Sequence, residues 1–166
     1  KFLGILVDNH LTFIDHVDNL VKMCNSKLFL MRRLRKVGMN KIDLKTFYCT
    51  NIRSILTYAS PVFYNFLSKT CKWRLERVQA SATKIIEPDL EYLKRLKVLD
   101  LPTLSDFINT ASESVFKKIA RNEKHPLFNR IVVNQARVSS RLNTVYRPPK
   151  CRTQKRFNSF FPILRV

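Results

Sequence analysis

Two glycines, Gly4 and Gly38, serve the whole of this 166-residue chain. Glycine reaches left-handed backbone conformations without steric cost, so tight turns depend on it. A chain this poor in glycine is ill suited to the many short hairpins of an all-β protein. It also lacks the clustered glycines of a P-loop or a Rossmann turn, which cradle phosphates on bare backbone. A mainly α fold remains, and a hydrophobic content of 45% gives it enough apolar surface for a packed core.

Apolar spacing marks out the helices. Residues 1–7 read as a short N-terminal β-strand or hairpin, followed by an Asp8–Asn9 turn. Thr12 reads as an N-cap, with Asp15 in the first turn. Val17, Leu20, Val21, Cys24, Leu28 and Met31 then recur at helical spacing to about Leu34, and Gly38 reads as the C-terminal cap. Asn40 opens a second helix through Leu44, Tyr48, Ile52, Ile55, Leu56 and Ala59. Pro61 interrupts it, and the aromatic-rich stretch to Leu67 reads as a short helical bridge. Ser68 opens a third long helix through Cys71, Leu75, Val78, Ala82 and Ile85, broken at Glu87-Pro88-Asp89. A short helix near Tyr92–Leu96 follows. Thr103 and Asp106 then suggest a capped helix ending near Asn122. The organisation is an N-terminal segment over 1–11, a helical bundle over 12–122 and an extended basic tail over 123–166.

Charge constrains function more than any motif does. Lys plus Arg number 31 against 12 Asp plus Glu, a net charge of +19. Such an excess is self-repulsive, and a polyanion is the usual compensating partner. Nucleic acid fits this better than an anionic membrane or a merely soluble basic surface. No apolar run is long enough to span a bilayer. The four cysteines show no C-x-x-C spacing, which points to reduced thiols and an intracellular setting, nuclear or cytoplasmic.

The cations are unevenly distributed. Arg32, Arg33, Arg35 and Lys36 crowd the end of the first long helix, with Lys22, Lys27 and Lys45 nearby. Guanidinium forks suit phosphate oxygens, although cations at a helix C-terminus also complement its dipole. All twelve acids lie at or before Glu123, and the tail beyond it has none. There Arg137, Arg141, Arg147, Lys150, Arg152, Lys155 and Arg156 interleave with Tyr146 and Phe157. That pattern can follow a phosphate backbone and stack on bases. Carboxylates form no catalytic pair: Asp15 and Asp18 suit a helix N-terminus, and Glu87, Asp89 and Glu91 suit a turn. His10, His16 and His125 have no ligand spacing. Trp73 reads as a packing anchor.

The sequence also resembles the C-terminal part of the reverse transcriptases of non-LTR, LINE-type retrotransposons, jockey-like elements above all. Lys1-Phe2-Leu3-Gly4 with Asp8, Leu11, Thr12 and His16 resembles the "YLG" segment of that family. Leu30–Lys36, Tyr58–Phe63, Leu75-Glu76-Arg77-Val78-Gln79, Leu101–Leu104, His125–Phe128, Cys151–Thr153 and Asn158–Pro162 follow in the family's order. Phe63 stands where the family usually has Trp. The resemblance implies that Phe2, Leu3 and Gly4 act as a primer grip at the edge of the palm. It implies that Arg32, Arg33 and Arg35 belong to a thumb that holds an RNA–DNA template–primer duplex. The partners would be RNA, DNA and the rest of the polymerase chain. No cofactor is expected in this part: catalytic aspartates and their Mg belong upstream, so the chain is not expected to be an enzyme on its own. A rival reading is a helical protein-interaction module with Tyr58–Phe66 as its exposed anchor.

Overall fold

A computed structural model describes residues 1–128 and divides the chain into two units, 1–108 and 109–166. The described part is mainly helical and contains no extended strand. The elements are α1 (Ile14–Lys36), α2 (Lys41–Tyr48), a π-helical stretch (Cys49–Arg53), α3 (Ser54–Thr57), α4 (Ser60–Phe63), a 3₁₀ turn (Tyr64–Phe66), α5 (Lys69–Ile86), α6 (Tyr92–Val98) and α7 (Leu104–Arg121). The tail residues Arg137, Arg141, Arg147, Lys150, Arg152, Lys155 and Arg156 lie outside the described residues.

The N-terminal strand expected over 1–7 is instead a tight turn. Phe2 and Ile5 exchange both backbone hydrogen bonds at 2.8 Å across Leu3 and Gly4. Leu3 and Gly4 both have positive φ, 44° and 87°, and that geometry reverses the chain at once. No neighbouring strand lies among the described residues to extend the pairing. The Tyr58 hydroxyl donates to the Leu3 carbonyl at 3.1 Å, and Ile5 is buried in the helical core. This segment therefore belongs to the same unit as the helices.

Thr12 is not the N-cap of α1. The cap position falls on Phe13, in left-handed conformation and without a side-chain bond. The work passes to Asp8, whose carboxylate accepts from the backbone N–H of His10 (2.8 Å), Thr12 (2.9 Å) and Phe13 (2.7 Å) and from the Thr12 hydroxyl (2.8 Å). These donors, the Thr12 N–H foremost, hold its pKa below the usual carboxylate range. Phe13 is thereby free to pack on Phe63 and Phe66.

The other end of α1 closes as the sequence predicts. Gly38 N–H bonds to Arg35 O at 3.0 Å and Met39 N–H to Leu34 O at 3.1 Å, a Schellman motif around a φ of +92°. Asn40 caps α2 through the Asp43 N–H, and Ser68 caps α5 through the Cys71 N–H. Thr103 and Asp106 bond reciprocally at the start of α7.

From α2 to α3, the buried residues Leu44, Tyr48, Ile52 and Leu56 repeat every four positions. Four residues of an α-helix advance about 400°, so a strict period of four drifts off one face by about 40° per step. The wider π-helical stretch between Tyr48 and Ser54 takes up this drift. Hydroxyls of Thr50, Ser54 and Thr57 bond to carbonyls four residues back along this segment.

The core is built around α1 and α5, with α2 and α3 packed against α1. Within it, the Tyr48 hydroxyl donates to Gln79 Oε1 at 2.6 Å, and Gln79 Nε2 reaches Tyr92 Oη (3.1 Å) and Pro102 O (2.9 Å). The Tyr92 hydroxyl donates to the Glu76 carboxylate, which also accepts from the first N–H of α7, that of Leu104. Phe63 is fully buried, with the His16 ring edge-on at 4.7 Å. Burial lowers the pKa of His16 and pushes the Cys24 thiol up to about 12. In the second unit, Ser112, Phe116 and Ile119 are buried along α7, and short turns follow through Phe128.

Candidate nucleic-acid interface

α1 and α5 run parallel: Arg74 pairs with Asp18 at 2.5 Å near one end, and Arg35 reaches Ile86 near the other. Both helix C-termini therefore lie together, and their terminal carbonyls concentrate negative potential there. That potential favours cations, and the sequence supplies them from both helices.

A groove of about 550 Å³ opens at this end. Arg32, Arg35 and Lys36 line one wall, and Ser81, Lys84 and Ile85 the other, with Pro88 closing it. Among the described residues, four cations and no carboxylate line this one space. Arg32, Lys36 and Lys84 have no ion-pair partner among the described residues. Arg35 differs: its Nη1 donates to the Ile86 carbonyl at 2.7 Å and so caps α5. Part of its guanidinium is thus committed to the fold.

The other expected residues fall elsewhere. Lys22 is exposed one stretch along α1, lining a shallow surface hollow with Asp18, Asn25 and Phe29. Arg33 lies over the exposed Phe29 ring at 5.4 Å, away from the groove lining. Lys27 is half-buried and lines none of these spaces. Phe2, Leu3 and Gly4 form their own exposed turn and do not line the groove.

Lys84 and Ser81 were not among the expected residues. They stand about fifty positions from the arginine cluster, and only the parallel packing of α1 on α5 brings them opposite it. Trp73 was misread as a packing anchor: its ring is 57% exposed, with the Arg77 guanidinium 4.7 Å above it. Asp18 pairs with Arg74 across helices, beyond the dipole role expected of it, and Glu87 pairs with Lys41 at 2.6 Å.

The stretch Tyr58–Phe66 does not form an exposed aromatic anchor. Phe63 and Tyr64 are buried and Phe66 is half-buried, leaving Tyr58 and Val62 outside. Among the described residues, no three His, Cys, Asp or Glu side chains come together as a candidate metal site. No helix among them is long and apolar enough to cross a membrane. No family model, curated protein or solved structure matches the chain.

Proposed function

We propose that the chain is the duplex-holding part of a LINE-type RNA-directed DNA polymerase, gripping an RNA–DNA template–primer by its phosphates. The observation that carries this reading is the groove in which Arg32, Arg35, Lys36 and Lys84 converge without an opposing carboxylate. Phosphate oxygens satisfy such a set through charge-assisted hydrogen bonds and release counterions as they bind. Contacts of this kind position a duplex and carry no sequence information. The net charge of +19 and the ordered sequence blocks support the same reading. On it, Phe2, Leu3 and Gly4 form the primer grip, and the tail cations from Arg137 to Arg156 add phosphate contacts. Metal-dependent polymerisation belongs to the palm of the parent chain.

Fluorescence anisotropy on an RNA–DNA hybrid and on duplex DNA tests this. The four groove contacts alone predict affinity that falls on the order of a hundredfold between about 50 mM and about 200 mM salt, and contacts from the tail would steepen the fall. The double variant Arg32→Glu/Lys84→Glu should abolish binding at the lower salt. Salt-independent binding, or none at low salt, would overturn the proposal. Primer extension by the purified chain would overturn the assignment of catalysis elsewhere.

A further inference from the structure

We infer that the α1–α5 seam also receives one unpaired nucleobase, in a small pocket that adjoins the phosphate groove. The inference rests on the nucleic-acid reading and specifies the form of the ligand.

The pocket has a volume of about 210 Å³. That is below the ~300–1,000 Å³ of a drug-sized site and suits a single planar ring system. Val21, Leu28 and Val78 give it an apolar floor, and Asn25, Arg77 and Ser81 ring its mouth. Arg74 also lines it but is neutralised by Asp18. A phosphate gains nothing from an apolar floor, whereas the face of a base does. The Asn25 amide has no hydrogen-bond partner among the described residues, and with the Ser81 hydroxyl it offers donors and acceptors to a base edge. The Arg77 guanidinium, whose Cζ lies 4.7 Å from the Trp73 ring centroid, provides a plane on which a base can stack.

Ser81 lines both this pocket and the cationic groove. From Ser81 to Lys84 is less than one helical turn, about 5 Å along α5. One nucleotide can span that distance, with its base in the pocket and its phosphate among Arg32, Lys36 and Lys84. A fully paired duplex cannot place a base there, because its bases are stacked and hydrogen-bonded inside the helix. The ligand that fills both sites is a duplex with a single-stranded extension.

The experiment compares a blunt RNA–DNA hybrid with the same hybrid bearing a short single-stranded RNA extension, using the full chain at low salt. The extended hybrid should bind at least roughly fivefold tighter, the lower end of what one stacked base contributes. Asn25→Leu, which fills the mouth, should bring the ratio of the two affinities close to one. Ser81→Leu serves as an independent variant should Asn25→Leu melt earlier than the wild type. Arg32→Glu should weaken both ligands and leave the ratio above one. Equal affinities in the wild type, or a ratio unmoved by both pocket-filling variants, overturn the base pocket while the phosphate groove stands. Failure of both ligands to bind overturns the groove and the pocket together.

Discussion

A methyl group added at Gly38 would meet no atom within 4 Å, so nothing but the backbone requires glycine there. With φ at +92°, an L side chain is strained even in empty space. Gly38→Ala should therefore cost about 1–2 kcal/mol, read as a lower urea midpoint at unchanged m-value. Asp8 gives a complementary case. Its folded pKa is depressed by the Thr12, Phe13 and His10 N–H groups, so its contribution is complete above the ordinary carboxylate range. It is lost as pH falls below that range toward the depressed folded value. Asp8→Asn should flatten this acid limb in a pH series of urea midpoints; an unchanged limb would refute the assignment. The Gly38 cap was legible in the sequence because a helix-ending glycine after a cationic turn is a local signal. Asp8 was read only as a turn residue, since its role needs the chain to double back over five residues and leave Thr12 as a donor.

Among the elements, apolar periodicity and polar caps located the long helices, because each such signal is complete within a few residues. Tertiary contact decided the remainder. Residues 1–7 carry strand-forming side chains, but no strand lies beside them among the described residues, and the segment closes on itself as a turn. Gln79 lies on the buried face of α5, where the pattern gave only apolar residues. It is tolerated because Tyr48, Tyr92 and Pro102 O satisfy its amide. Glu76, on the same helix, anchors the first N–H of α7. Tyr48→Phe would leave Gln79 Oε1 buried without its donor, at a cost of about 1–3 kcal/mol. Thermal or urea unfolding checks this, and the near-isosteric change keeps packing out of the comparison.

For the molecule as a whole, the net charge pointed toward a polyanion, while the sequence showed only half of the groove proposed to receive it. The α1 cations form a visible run. Lys84 is a single charge in a different helix, and its meaning comes from the parallel packing. The groove's cations also differ in kind. Lys84 is exposed and without an ion pair among the described residues, so Lys84→Ala should change stability by less than about 0.5 kcal/mol. It should reduce the slope of log affinity against log salt by about one. Arg35 bonds to Ile86 O, so Arg35→Ala should lower both the melting temperature and the affinity. Calorimetry and a salt titration on the two variants separate the cases, and a purely affinity-changing Arg35→Ala would contradict the capping bond.

The π-helical stretch at Cys49–Arg53 has a consequence for how this chain can change length. It holds one more residue than an α-helix needs to join the same two faces. Removing Thr50, an exposed residue whose hydroxyl bonds to the carbonyls of Thr46 and Phe47 and accepts from the neighbouring Asn51 amide, would shorten the spacing between Tyr48 and Ile52 from four to three. The four buried positions would then follow the four-three-four rhythm of an ordinary amphipathic helix. A single-residue deletion, which elsewhere in a helix rotates everything downstream, is here absorbed, so homologous chains can differ in length at this point while keeping the same core.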